Sequence, residues 1–459
     1  MLTRLRLENF KSWKDTGEVA LRPITGFFGA NSSGKSSLIH ALLLLKQTAD
    51  STDRGIVFNF GEPMSKRYID LGDFINVVHG HQSNKSLEIF LSWQTDEPIA
   101  IEDSYALRLD PDREIAISNN LGFRVVSRLK GDCDNARPVV DHMAYQVGVA
   151  EFGLRREVED DLPYDIFSEN ANFRFVRYKG RPWKLESPMN CYGFPEKVRT
   201  FYQNADFLID LEFAFEQCLQ SVYYLGPLRA IPERTYSWHG FQPSDVGEDG
   251  RLVVAALLED RRRGDEERPD TSGTHVSLEE RVANWLKDLG LIQDFRIHRV
   301  YEDGGLYSVM VRKCRNAPEV PIADVGFGVS QILPVLVLCF YVPEGSTVIL
   351  EQPEIHLHPS VQAGLADVFI DAWKKRNVQI LVESHSEHLL RRLQRRIAEE
   401  ELSQNDLGLY FCNEENGVSR LDGLEVDLYG NIANWPKDFF GDQFGEIAAM
   451  SEAALNRRP

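Results

Sequence analysis

The chain has 459 residues, 43% hydrophobic and 26% charged, with a net charge of −19. That length gives two or three domains and a sizeable core, and the composition is that of a soluble globular protein. No apolar run reaches the roughly 18 residues of a membrane-spanning helix. Six cysteines (Cys133, Cys191, Cys218, Cys314, Cys339, Cys412) without a Cys-x-x-Cys pair exclude a disulfide framework or zinc finger and fit a reducing cytoplasm. So acidic a surface disfavours wrapping nucleic acid over the whole molecule, leaving only a local basic groove.

Residues 1–11 alternate polar and apolar side chains and predict a strand, not a signal peptide. Ile24–Phe28 predicts a short buried strand, and Ser37–Gln47 a helix with the apolar run Leu42–Leu45. Between them, Gly29-Ala-Asn-Ser-Ser-Gly-Lys-Ser-Ser37 fits the phosphate-binding loop. Its glycines let backbone N–H groups of residues such as Asn31, Ser32, Ser33 and Ser37 turn toward phosphate oxygens. Lys35 is the candidate for neutralising β and γ phosphates, and Ser36 for holding Mg²⁺. A chance Gly/Ser turn is the bland alternative, and the flanking strand and helix argue against it.

Residues 1–100 predict a β-rich lobe carrying this loop. Residues 101–221 predict an inserted α+β segment, with an acidic cluster (Glu157, Glu159, Asp160, Asp161) and a helix over 195–219. No sustained heptads mark a coiled-coil arm. The second half of the head spans 222–425, and 426–459 is a tail. Residues 260–276 are charged and predict a loop. Ser277 and Glu280 form a capping box for a helix that Gly290 ends. Strands at 295–301 and 306–312 flank the hairpin signal Asp303-Gly304.

Thr347–Leu350 is a β-branched strand ending in Glu351-Gln352-Pro353-Glu354, the pattern that delivers a Walker B acid beside Mg²⁺. Val378–Val382 is a second such strand, ending in Glu383-Ser384-His385, with His385 placed to sense a γ phosphate. Between the loop and these strands, Asp324–Gln331 carries Gly326 and Gly328 ahead of an apolar helix, a second phosphate-binding device. His356-x-His358 and His385-x-x-His388 do not follow zinc spacing, so Mg²⁺ with ATP is the expected cofactor set. Arg391, Arg392, Arg395 and Arg396 form a basic helix face that is either paired with acids or tracks a phosphate backbone. Arg229, beside Gly226-Pro227, faces either nucleotide, partner or a structural ion pair.

These motifs, with Tyr223–Arg229, Glu351–Pro359, Glu383–His388 and Gly430–Pro436, resemble the ABC-type ATPase heads of the SMC, RecF and OLD-like group, in a bacterial AAA branch. The resemblance covers residues 1–90 and 222–440. It implies an α/β, ABC-ATPase-like head, with mixed β-sheet lobes around a P-loop core and the 101–221 segment inserted. It implies a cytoplasmic ATPase in which two heads sandwich two ATP molecules, Lys35 of one facing Gly326 and Gly328 of the other. It also places Phe10-Lys11-Ser12 near the nucleotide and makes Gln47 the Q-loop candidate. The homodimer or higher oligomer would regulate a separate effector protein in DNA maintenance or anti-phage and plasmid defence, without a TOPRIM nuclease domain or membrane segment.

Two positions depart from the family pattern. The signature Ser-Gly-Gly-Gln becomes Gly328-Val329-Ser330-Gln331, which removes a hydroxyl unless Ser330 supplies it. The usual Asp-Glu pair becomes Glu351-Gln352. Glu351 can hold Mg²⁺, but Gln352 cannot accept a proton, and losing general-base assistance costs ~10²–10⁴ in rate. Glu354 is the candidate substitute, or else a helix cap. The expectation is weak hydrolysis, with two competing readings: a nucleotide-locked scaffold that sequesters a partner through residues 101–221, and a DNA-binding repair-type ATPase.

Overall fold

The computed structural model describes residues 1–61, 68–103, 114–131, 136–156, 164–170, 173–179, 184–264, 276–301, 304–436, 449–450 and 453. The acidic cluster at 157–161, the loop 265–275, Asp303 and most of the tail lie outside them.

The N-terminal alternation folds as β1 (Leu2–Phe10), burying Leu2, Leu5, Leu7 and Phe10. Short strands β2 (Trp13–Asp15) and β3 (Val19–Ala20) pair with it, followed by β4 (Ile24–Gly29), α1 (Lys35–Ala49) and the single turn α2 (Phe74–Val77). Antiparallel strands β5 (Leu87–Glu102), β6 (Glu114–Lys130), β7 (Arg137–Val147), β8 (Ala150–Arg156) and β9 (Tyr164–Ser168) come next. Helices α3 (Lys197–Phe201) and α4 (Leu208–Gln220) close that half.

The second half runs β10 (Val222–Leu225), β11 (Tyr236–Ser237), α5 (Val253–Gly264), α6 (Leu278–Asp288), β12 (Asp294–Arg299), β13 (Leu306–Arg312) and β14 (Val320–Pro321). It continues with α7 (Phe327–Tyr341), β15 (Thr347–Glu351), α8 (Pro359–Arg376), β16 (Gln379–Glu383), α9 (Glu387–Ala398) and the hairpin β17 (Leu407–Glu415) and β18 (Val418–Gly423). The Ser277/Glu280 capping box on α6 is made in both directions, and Gly290 follows the helix at φ 70°.

Among the described residues the strands form three sheets: eight strands in the order β2-β1-β5-β6-β7-β8-β9 with β3 on β1, six in the order β10-β15-β16-β4-β17-β18, and a small sheet of β11–β14. The six-stranded sheet positions the site. Strands β10, β15, β16, β4 and β17 run parallel, and β15 and β16 are buried along their whole length, as expected of strands covered on both faces. Gln379, fully buried, joins this sheet to the N-terminal one. Its amide accepts from Leu2 N–H (2.9 Å) and Thr347 Oγ1 (2.9 Å) and donates to the carbonyls of Leu2 (2.8 Å) and Arg22 (3.1 Å), so each of its hydrogen-bonding sites is used.

Two findings refine the expected organisation. First, a division at residue 100 runs through β5, and β6–β9 continue the sheet that β1 begins. Helix α4 packs Phe215 against Phe123 (ring centroids 4.3 Å apart) in the same core as Leu38 and Leu42 of α1. Lys46 of α1 donates to the Leu219 carbonyl (2.8 Å), tying that segment to the loop helix. Second, the helix expected over 195–219 is broken in two. Gln203 N–H bonds the Val176 carbonyl (2.8 Å), and buried Asn204 accepts from Val176 N–H (2.9 Å) and donates to Arg174 (3.0 Å). These bonds draw residues 203–204 out of helical pairing and onto the 174–176 segment.

On α4, burial pushes the Glu212 carboxyl up to about 7, while its Oε1 accepts from Phe194 N–H (2.6 Å). A carboxyl raised in the folded state holds its proton longer than in the unfolded chain. Its contribution is therefore favourable at low pH and is lost as pH rises from about 4.5 to about 7. Glu212→Gln keeps an acceptor without the buried charge. We expect it to stabilise the protein by about 2–3 kcal/mol at pH 8 and to change little near pH 4, measured by thermal unfolding at both pH values.

Candidate nucleotide site

The loop expected from Gly29–Ser37 joins β4 to α1, and its backbone is what the motif requires. Gly29 sits at φ 139° and Gly34 at φ 95°. A Cβ on Gly29 would fall 2.1 Å from the Cys412 carbonyl oxygen, and one on Gly34 would fall 2.5 Å from Ser419 Oγ and 2.8 Å from Ser12 Oγ. Gly34 is the N-cap of α1, no side chain caps that end and no acid occupies its first turn, so its N–H groups face outward for an anion. Asn31 and Ser32 are exposed on the rim, whereas Ser33 and Lys35 are buried. Lys35 Nζ donates to the Ala30 carbonyl (2.6 Å) across the loop.

The parallel register sets the acids against that lysine. Glu351 pairs across the sheet with Glu383, and Glu383 with Phe27, two residues before the loop strand's end. Glu383, not marked in the sequence beyond being a strand end, is the carboxylate nearest Lys35 (4.0 Å). The side chains of Ser36 and Gln352 lie beside it. Burial raises its carboxyl, as does the neighbouring Glu351 charge, and burial also lowers the Lys35 ammonium. Gln352 adopts φ 45° with its N–H on the Glu383 carbonyl (2.9 Å).

Glu351 Oε1 accepts from the Tyr224 hydroxyl (3.2 Å) and lies 3.5 Å from His40 Nε2. His40 Nδ1 meets Lys11 Nζ at 3.0 Å. Lys11 is thereby connected to the site through a histidine that the sequence reading passed over. The signal was present: His40 lies four residues beyond Ser36, one helical turn along the same face. Glu354 is buried and close to Lys35, and it does not cap α8, whose N-cap is His358. Its Oε1 accepts from His385 N–H (2.6 Å), and burial raises its carboxyl. His385 is held toward its neutral form by burial and by Lys35.

Buried atoms left without a partner crowd this one place: Ser12 Oγ, Ser33 Oγ, Ser419 Oγ, Glu354 Oε2, Glu383 Oε2, His385 Nε2 and two nitrogens of Arg229. Such atoms are costly unless something fills the site. A nucleotide triphosphate with Mg²⁺ fits the donor set: backbone N–H groups, one lysine, a serine hydroxyl and carboxylates. Among the described residues no three His, Cys, Asp or Glu side chains form a metal cage. Mg²⁺ does not need one, because it keeps waters and takes phosphate oxygens. A cavity of about 540 Å³ opens beside Gly34, lined by Lys11, Ser12, Asn76, His79, Asn416 and Val418 among others.

Other residues singled out in the sequence lie outside this cluster. Gln47 is fully buried and bonds the Asn59 carbonyl and the N–H groups of Tyr68 and Ile69 (3.3 Å each), so it anchors the chain after α1. Gly326 and Gly328 stand at the start of α7, with Gly326 facing open space and Gly328 nearest Leu291, His356 and Leu357. Ser330 Oγ donates back to the Phe327 carbonyl (2.9 Å) and supplies no outward hydroxyl. The basic face of α9 is engaged: Arg392 and Arg396 bond Asp367 (2.5 and 2.6 Å), Arg395 bonds Glu399 (2.7 Å), and Arg391 stacks on Trp435.

Comparisons with known proteins agree with the loop and strand chemistry. Residues 1–180 match the family described as AAA ATPase domain, and residues 199–391 match the AAA domain described as putative AbiEii toxin, Type IV TA system. The chain belongs to the AAA-type P-loop ATPases. Residues 402–450 of this ATPase match a family of unknown function, DUF3696. Among solved structures it is similar to an SmcHead bound to the C-winged helix domain of ScpA (12% identity, TM-score 0.47, covering 93% of this chain and 98% of that one). It is also similar to the SMC head domain from Thermotoga maritima (10%, 0.40, covering 93% and 99%) and to a Pyrococcus furiosus Smc head domain bound to the C-terminal domain of ScpA (11%, 0.42, covering 100% and 99%). No curated protein matches the sequence. Among the described residues, no helix is long and apolar enough to cross a membrane.

The crowding at Gly34 gives a direct test. Gly34→Ala forces a Cβ into Ser419 and Ser12 at a left-handed backbone, a strain of ~1–2 kcal/mol before the clash is counted. We expect ATP affinity to fall more than about tenfold. The double variant with Ser419→Ala should recover only part of it, as read by titration of a fluorescent ATP analogue.

Proposed function

We propose that this ATPase is an ABC-type head that binds ATP with Mg²⁺, hydrolyses it slowly, dimerises around nucleotide and regulates a partner effector in DNA maintenance or defence against phage and plasmids. The observation that carries the slow-turnover reading is the set of groups around Lys35. Glu351, Gln352, Glu354, Glu383 and His385 meet it at one sheet edge, and the residue after the strand's terminal acid is an amide that cannot take a proton.

Lys35 and the N–H groups of Gly29–Ser37, Asn31, Ser32 and Ser33 among them, would hold the phosphates, and Ser36 and Glu351 would hold Mg²⁺, with the Glu383 carboxylate beside Ser36. Mg²⁺, when bound, supplies charge neutralisation of the phosphate oxygens. Gln352 N–H bonds the Glu383 carbonyl, which holds the residue at the strand end, and its amide would orient a water rather than deprotonate one. Glu354 is the carboxylate able to accept a proton: Oε2 is unpartnered, Lys35 is close, and its position is set by His385 N–H. His385 Nε2, buried and unpartnered, is available to donate to or sense the terminal phosphate.

Closure by a second copy is supported by the exposed, uncapped start of α7. Gly326 is open and Phe327 is 64% exposed, so Gly326 and Gly328 are available to another molecule's nucleotide. The toxin and toxin–antitoxin description of the family matching residues 199–391 supports the defence role. Pairing of the α9 arginines with Asp367 and Glu399 favours a protein effector over a DNA backbone as the partner.

Single-turnover and steady-state kinetics test the chemistry. Gln352→Glu should raise turnover by ~10-fold or more. The gain should be larger at pH 8 than at pH 6, because the new carboxylate beside Glu383 must lose its proton to act. Fast wild-type turnover that falls on this substitution would refute the reading, and absent turnover with intact ATP binding would favour the locked scaffold. Mass measurement should show a dimer with ATP and Mg²⁺ that Lys35→Ala fails to form.

A further inference from the structure

The turn after β10 carries a cation that the roles above leave unused. Strand β10 lies on the far side of β15 from the loop strand. Its following turn is pinned at both ends, by Gly226 N–H on the Glu248 carbonyl and Ala230 N–H on the Asp249 carbonyl, each 2.8 Å. Arg229 is therefore held in place by its backbone. Its Nε and Nη1 are buried without a hydrogen-bond partner, and the groups near it are the Glu351 and Glu354 carboxylates and the neutral Tyr224 hydroxyl. Burial draws the guanidinium down to about 10.

A structural ion pair is the ordinary explanation of a buried arginine, and this structure does not make one. Glu351 Oε1 is occupied by Tyr224 and His40, and Glu354 Oε1 by His385 N–H. Glu354 Oε2 and two guanidinium nitrogens are left unpaired in the same region. Glu354 is within electrostatic reach of both Lys35 and Arg229. The cavity beside Gly34 opens toward the β17–β18 hairpin, the opposite end of the sheet edge from β10. A nucleotide with its base in that cavity would run its phosphates over Lys35 toward β15 and β10. A planar guanidinium with free N–H groups at that end matches a phosphate better than a second lysine would.

We propose that Arg229 is a phosphate-binding residue supplied by the same chain, acting with Lys35 on the terminal phosphate. This rests on the nucleotide reading of the site. It makes Arg229 a residue that distinguishes ATP from ADP.

The test is calorimetry with ATP and ADP, each with Mg²⁺, on the full chain and on Arg229→Gln, Arg229→Lys and Lys35→Ala, together with nucleotide-free melting curves. Arg229→Gln should weaken ATP binding by ~10–100-fold, the worth of one or two charge-assisted hydrogen bonds. ADP affinity should stay within about threefold, and Arg229→Lys should restore part of the loss. The nucleotide-free melting temperature should hold or rise, because an unpaired buried cation is removed. Unchanged ATP affinity overturns the proposal, as does equal loss for ATP and ADP with a lowered melting temperature, which marks a structural role. If the wild type binds neither nucleotide, the site reading fails and the proposal falls with it. If the wild type binds, Lys35→Ala does not and Arg229→Gln binds as the wild type does, the Arg229 proposal alone fails.

Discussion

The site depends on one constraint: three parallel strands, β4, β16 and β15, end at nearly the same level. Parallel pairing fixes Glu351 opposite Glu383 and Glu383 opposite Phe27, so two carboxylates and a lysine-bearing loop are forced into one small, dry volume. A slip of one residue in either ladder would turn the terminal acids to the other face of the sheet. Burying like charges side by side is unfavourable. The structure offsets this with Lys35, with the hydrogen bond from Tyr224 to Glu351, and with a carboxyl at Glu383 whose affinity for a proton is raised. The unpartnered atoms that remain mark where the arrangement is complementary to a ligand rather than to itself.

What the sequence showed followed from local rules. The glycine loop, the capping box at Ser277 and the strands ending in Glu351 and Glu383 each have a short-range signature, and each folds where that signature places it. The mixed α/β class follows from the same elements. What stayed hidden was set by partners distant in sequence. Helix 195–219 breaks because Asn204 meets a segment some thirty residues earlier. Gln47 is a structural anchor because Asn59, Tyr68 and Ile69 fold back on it. Glu383 and His40 gain their significance only when β15 and β16 are in register and α1 is docked. The first part of β6 carries no clear alternation because none of its residues is buried.

The arrangement also separates binding from bond cleavage. On the proposed reading, phosphate contacts come from backbone N–H groups and Lys35, on a loop packed against Cys412, Ser12 and Ser419. Proton transfer would then fall to groups on two other strand ends, Glu354 and its partner His385. Residue 352 can therefore be an amide without disturbing the loop. Helix α1 forms a common wall between the site and the core of residues 101–221, through Leu38, Leu42 and the Lys46–Leu219 bond. That shared wall is a physical route by which a partner bound to those residues could feel the state of the loop.

The bracing of Gly29 by the Cys412 carbonyl has a consequence for how the protein is made. These two positions are roughly 380 residues apart, so at ~5–20 residues per second the loop waits on the order of 20–80 s for the strand that completes it. During that interval α1 has β1, β4 and α4 to pack against, while the loop still lacks the β17 carbonyl at its first glycine. On the proposed reading, the growing chain can collapse its N-terminal core well before it can hold a nucleotide.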